Sequence, residues 1–123
     1  MVINCGAAGD QYFSGGDAWS TPPLRFGQSF RYSIPLVQGF YSLVLKFEEP
    51  SVSAVGARVF SVWVNNSPLL QNLDIYAEAK TSPLYRGSLV HASGGKVNLE
   101  FRASVRSAMV SQISLLPVAW GDI

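Results

Sequence analysis

The chain has 123 residues, 48% of them hydrophobic and 14% charged, with a formal net charge of +1. That length suits one domain that buries a core without staples, and that balance excludes disorder, which needs few apolar and many charged residues. Basic residues scattered singly give no footprint for nucleic acid or an acidic membrane, and no apolar run approaches the ~20 residues of a membrane helix.

Low charge combined with many Gly, Pro, Ser and aromatic residues suits a secreted or surface-displayed β protein. Val2 to Cys5 reads as a short opening strand directly after Met1, not as a charged leader with an apolar signal segment. The expectation is therefore a module of a larger secreted protein, extracellular or at the cell surface. Cys5 is the single cysteine, so no internal disulfide forms. Among small residues it reads as a small buried hydrophobe. From Asp10 to Gly27 the chain looks like a long loop, with Gly and Pro at close intervals and no sustained period. Loops longer than about 12–15 residues are uncommon and usually functional.

Ser29–Pro35 alternates Phe30, Tyr32 and Ile34 with polar residues, the period-two signature of a strand. Phe40–Phe47 and Val59–Val64 alternate as well, and are apolar enough to be central in a sheet. Asn65-Asn66 marks a tight turn, because Asn tolerates left-handed backbone. Tyr76–Lys80 is long enough for a single helical turn. Tyr85–His91, Lys96–Arg102 and Met109–Leu116 are the remaining strands, and Ser93-Gly94-Gly95 is a hairpin turn. In Trp63 an aromatic either packs under a loop or lies on an outer sheet face; packing is the expectation. Short strands at this spacing specify an all-β protein, a sandwich or a barrel.

Residues for catalysis are missing. His91 is the only histidine, so no zinc site or Ser-His-Asp triad assembles, and no Gly-x-Ser-x-Gly elbow is present. Glu48-Glu49 is the only adjacent carboxylate pair, and neighbours on a strand point to opposite sides. Asn65-Asn66-Ser67 matches a short glycosylation acceptor pattern. No cofactor is indicated. The carboxylates Asp10, Asp17, Glu48, Glu49 and Asp74 could supply oxygen ligands to a structural calcium ion. What remains is binding. The Asp10–Gly27 stretch combines Tyr12, Phe13, Trp19 and Phe26 with polar Gln11, Asp17 and Arg25. Tyr and Trp join an apolar body to a polar edge, which suits stacking on sugar rings while polar side chains meet hydroxyls.

Five segments in order resemble the malectin-like carbohydrate-binding family. They are Ile3-Asn4-Cys5-Gly6, Phe30-Arg31-Tyr32-Ser33-Ile34-Pro35, Leu43-Val44-Leu45-Lys46-Phe47-Glu48-Glu49, Arg58-Val59-Phe60-Ser61-Val62-Trp63-Val64-Asn65-Asn66 and Leu73-Asp74-Ile75. The resemblance covers residues 2 to 117. It implies a jelly-roll-like β-sandwich of two antiparallel sheets over residues 1–118, with 119–123 as a tail. It implies no enzyme activity and a cleft for oligosaccharide or polysaccharide, built from loops at one end and serving a covalently linked enzyme domain. Phe26 matches an early tyrosine position of the family's cleft. Ser51 and Val52 fall where an aromatic pair belongs, and Arg106 falls near an aspartate position. The expected sugar contacts are Tyr12, Asp17, Trp19, Arg25, Phe26 and Arg106, with Trp19 as the main platform. The competing expectation is a structural or protein-interaction sandwich whose sugar cleft has decayed.

Overall fold

A computed structural model describes residues 1–119; residues 120–123 of the expected tail lie outside the described residues. The fold is all-β, with 58% of the described residues in strands and 4% in helix. A four-stranded sheet has the order β1 (Val2–Asn4), β12 (Gln112–Pro117), β6 (Phe40–Phe47) and β9 (Leu84–His91). Facing it, a five-stranded sheet has the order β2 (Phe13–Ser14), β5 (Ser29–Pro35), β10 (Lys96–Val105), β7 (Val59–Val64) and β8 (Ser67–Leu73). Neighbouring strands in both sheets are antiparallel.

The alternation read from the sequence becomes the two inner faces. Leu43, Leu45 and Phe47 of β6 are fully buried, as are Tyr32 and Ile34 of β5 and Phe60 and Val62 of β7. Phe47 and Phe60 meet across the sandwich with ring centroids 5.6 Å apart. Phe30 stacks on Phe101 at 4.7 Å, tying β5 to β10 from within the core. Burying a side chain of this size contributes about 1.5–3 kcal/mol, so these aromatics outweigh any single surface contact. Asn65 and Asn66 have φ of 48° and 68° and join β7 to β8. Positive φ at both loop residues matches the twist of the flanking strands, as the Asn pair predicts. The single helical turn is α1 (Ile75–Ala79), started by Asp74, whose carboxylate accepts from the Ala77 amide.

Three expectations need correction. The stretch from Asp10 to Gly27 is not a plain loop: β3 (Asp17–Ser20) and β4 (Pro23–Gly27) form a hairpin. With β11 (Ala108–Val110) the pair makes a small third sheet in the order β11-β4-β3. It escaped the alternation test because β3 is exposed throughout, while Leu24 and Arg25, adjacent on β4, are both buried. The last strand does not run unbroken from Met109 to Leu116. It breaks at Ser111, whose amide donates to the Lys46 carbonyl (2.8 Å) and whose carbonyl accepts from the Cys5 amide (3.0 Å). The break passes the chain from the small sheet to the four-stranded one. Nor does Trp63 lie under a loop. Strand register sets it opposite Glu100, pointing away from the core, with the Arg102 guanidinium 5.3 Å above its ring.

Candidate functional site

The small sheet is held to the sandwich by a buried polar hub. Asp10 accepts from Arg25 Nε (2.9 Å), the Gly6 amide (2.8 Å) and the Tyr32 hydroxyl (2.9 Å). The Arg25 and Asp10 side chains are 7% and 5% exposed. Arg25 also donates to the carbonyls of Gly15 and Gly16, and its guanidinium lies 3.5 Å from the Phe13 ring centre. A buried charge this well partnered fixes geometry, because removing either partner leaves the other stranded in a poor solvent. Burial pushes the neighbouring Cys5 thiol up to about 12 and also raises the Tyr32 hydroxyl. Both groups stay neutral at physiological pH.

A cleft of about 200 Å³ opens where the small sheet meets the loops beyond β6 and β10. Trp19 and Phe26 form one wall, meeting edge to face with ring centroids 5.7 Å apart. The Trp19 indole N–H donates to the Thr21 carbonyl at 3.0 Å, which fixes the ring's direction. Trp19 remains 38% exposed. Ser51, Arg106 and Ser107 also line the cleft. Arg106 sits at φ 64°, a costly conformation for a residue with a Cβ, and donates to the Ala57 carbonyl (3.3 Å). Arg58 is locked between these loops. It pairs with Glu49 at 2.7 Å and donates to the Ser107 carbonyl (3.0 Å) and the Ser51 hydroxyl (3.4 Å).

The structure therefore brings Trp19, Phe26 and Arg106 together and sets the other expected contacts apart. Arg25 is internal and saturated by the Asp10 hub, so it has little to offer a ligand. Asp17 is exposed on β3, opposite Phe26 in register. Tyr12 lies on a different surface, the outer face of the five-stranded sheet. Ser51 lines the cleft without a ring to add, and Val52 beside it is buried. Sequence reasoning missed Arg58 as part of the cleft. The loop from Glu48 to Arg58 was expected to help form the site, but a partnership of Arg58 with Glu49 nine residues away has no periodic signature.

Glu48, Glu49 and Asp74 are occupied structurally. Glu49 accepts from Arg58 and from the amides of Ser51 and Val52, and Glu48 pairs with Lys46 at 3.1 Å. Glu48 and Glu49, just beyond the end of β6, thus face different partners. Asp74 caps α1 and accepts from the Gly56 amide. Among the described residues, no three His, Cys, Asp or Glu side chains gather into a metal-binding group.

A family model described as the Malectin domain matches residues 24–114. The chain belongs to the malectin domain family. The malectin domain is a carbohydrate-binding fold. The fold recurs in the plant receptor-like kinase FER, at 18% identity and a TM-score of 0.80 over 98% of this chain and 42% of that one. It recurs in a Bacteroides uniformis beta-glucuronidase, at 16% identity and a TM-score of 0.78 over 97% of this chain and 18% of that one. The ANXUR1 extracellular domain from Arabidopsis thaliana matches at 14% identity and a TM-score of 0.69, over 79% of this malectin domain and 31% of its own length. The malectin domain thus spans well under half of each of these proteins. No curated protein matches it. Among the described residues, no helix is long and apolar enough to cross a membrane.

Proposed function

We propose that this malectin domain is a non-catalytic carbohydrate-binding module, with the Trp19 cleft as a sugar site. The observation that carries this reading is the orientation of Trp19. Its only polar side-chain atom is spent on Thr21, so an exposed ring is held beside Phe26 in a cleft that Arg106 also lines. A rigid aromatic next to a cation and hydroxyls can stack on a pyranose ring while the polar groups meet its hydroxyls. Tyr12, Asp17 and Arg25 take no part in this cleft. The saturated Glu49 supports a role without bond cleavage. Linkage to a catalytic or cell-surface partner in a larger secreted protein would raise the effective concentration of glycan at that partner.

A second reading, protein recognition, is favoured by one observation: Ser51 and the buried Val52 leave the cleft with a single aromatic wall. A solved structure of similar fold (TM-score 0.70, 14% identity) is of the plant peptide RALF23 in complex with FER and LLG2.

Native affinity gels containing soluble polysaccharides separate the two readings. Trp19→Ala should weaken glycan binding by roughly 30-fold, the loss of a ~2 kcal/mol anchor. Its melting temperature should stay near wild type. Unchanged retardation together with a sharply lower melting temperature would make Trp19 a packing residue and remove the cleft from consideration.

A further inference from the structure

The outer face of the five-stranded sheet carries a second and larger groove, of about 400 Å³. We propose that it binds an interior stretch of a long, neutral polysaccharide chain laid across the strands. This rests on the carbohydrate-binding reading and adds a second site of a different shape. Strand pairing places Ser14, Arg31, Glu100 and Trp63 in one row across β2, β5, β10 and β7. Tyr12, Ser33 and Asn98 form the next row, with the Tyr12 carbonyl accepting from the Ser33 amide and the Ser33 hydroxyl donating to Asn98. Four strands at roughly 4.8 Å spacing make a floor about 14 Å wide. Trp63 stands at one side of it and Tyr12 at the other, so two rings flank a polar bed longer than one sugar.

The floor is polar and exposed because the core demands it. Phe30, Tyr32 and Ile34 point inward, which forces Ser29, Arg31, Ser33 and Pro35 outward, and each of these is exposed. Among the described residues no loop covers them, so the groove is open along its length and accepts a chain that continues in both directions. Its charges are largely spent internally. Arg31 and Arg102 both pair with Glu100. Desolvation of Glu100 would raise its carboxyl, but hydrogen bonds and charge from Arg102, then Arg31, outweigh it and hold that carboxyl below the ordinary carboxylate range. The carboxylate is therefore ionised at neutral pH; it cancels Arg31 within the groove and leaves one positive charge, that of Arg102, beside it. What the groove offers a ligand is hydroxyl, amide and ring surface. Tyr12 is 39% exposed, and neither its hydroxyl nor the Asn66 amide forms a hydrogen bond among the described residues. A neutral chain rich in hydroxyls fits that surface better than a polyanion.

The test is affinity electrophoresis of the whole chain in gels containing linear β-glucan, xylan, galactomannan or polygalacturonate, followed by calorimetry with the best polymer and with its disaccharide. The variants are Trp63→Ala, Ser33→Arg, which fills the exposed floor without touching the core, and Trp19→Ala. The expected result is that a neutral polymer binds, and binds more tightly than its disaccharide. Trp63→Ala should then weaken the polymer by roughly 30-fold, and Ser33→Arg should abolish its binding with an unchanged melting temperature. The effect should persist in the Trp19→Ala background. Polymer binding that survives both Trp63→Ala and Ser33→Arg but falls with Trp19→Ala would overturn the groove and leave the cleft standing. Preference for polygalacturonate would overturn the neutral-chain assignment. A wild-type protein retarded by none of the polymers would overturn the carbohydrate reading as a whole.

Discussion

Asp10 shows how one side chain sets the geometry around the site. It accepts three hydrogen bonds from three segments, so Asp10→Ala strands the Arg25 guanidinium and the Tyr32 hydroxyl in the interior. The expected loss is about 3–5 kcal/mol, the usual result of breaking a buried pair from one side. That should appear as a fall in melting temperature of roughly 10 °C or more. Gly6 offers a second test at this scale. A Cβ there would sit 2.0 Å from the Leu24 carbonyl oxygen, at φ 74°. Gly9, at φ 89°, has nothing within 4 Å of the same position. Both substitutions to Ala carry the left-handed penalty of about 1–2 kcal/mol, but only Gly6→Ala adds a clash with backbone. Chemical denaturation should find Gly6→Ala at least about 2 kcal/mol worse than Gly9→Ala, and equal losses would mean that Gly6 does not pack on β4 as described.

At the scale of elements, the β7–β8 turn is the most direct check of the backbone. Asn66 at φ 68° should tolerate Gly with no loss, whereas Asn66→Val should cost about 1–2 kcal/mol, measured by urea denaturation. The strands of the sandwich were legible from sequence because each buries one face, so alternation and burial carry the same information. The β3–β4 hairpin was not, because no face of β3 is buried and Pro22-Pro23 interrupts any pattern. Trp63 was misplaced for a related reason. Periodicity shows that it opposes Phe60 and Val62 in direction, but not that the opposite face is open. In the cleft, the aromatic richness of residues 10–27 pointed to Trp19 and Phe26. The demotion of Arg25 depended on Asp10, fifteen residues away, and only the fold brings those two together.

The whole molecule should respond to alkali in a defined direction. The Cys5 thiol is raised from 9.0 to about 12 by burial, and the Tyr32 hydroxyl is raised too. Above pH 9 the unfolded chain therefore releases the Cys5 proton that the folded chain keeps. Stability contributed by this group is complete below pH 9 and is lost progressively as pH rises towards 12. Urea midpoints measured from pH 8 to pH 11 should fall, and Cys5→Ala should flatten the fall; an unchanged slope would show that Cys5 is not the group responsible. The same burial should leave Cys5 inert to thiol reagents until the chain unfolds.

The pairing of the first strand with the last has a mechanical consequence. β1 runs antiparallel beside β12, with Val2 opposite Ser114 and the Met1 amine donating to the Leu115 carbonyl. The leading end of β1 and the trailing end of β12 thus leave the sheet on the same side. Tension applied between them does not shear a row of hydrogen bonds at once; it peels them one after another, starting at Met1. Strands β5, β7 and β10, which carry the larger groove, lie in the other sheet and are outside that line of force. A tethered copy stretched by flow should therefore lose its three-residue first strand at low force while the five-stranded sheet and its groove stay in place. Single-molecule extension from positions 1 and 117 should record a small early step well before the main unfolding event.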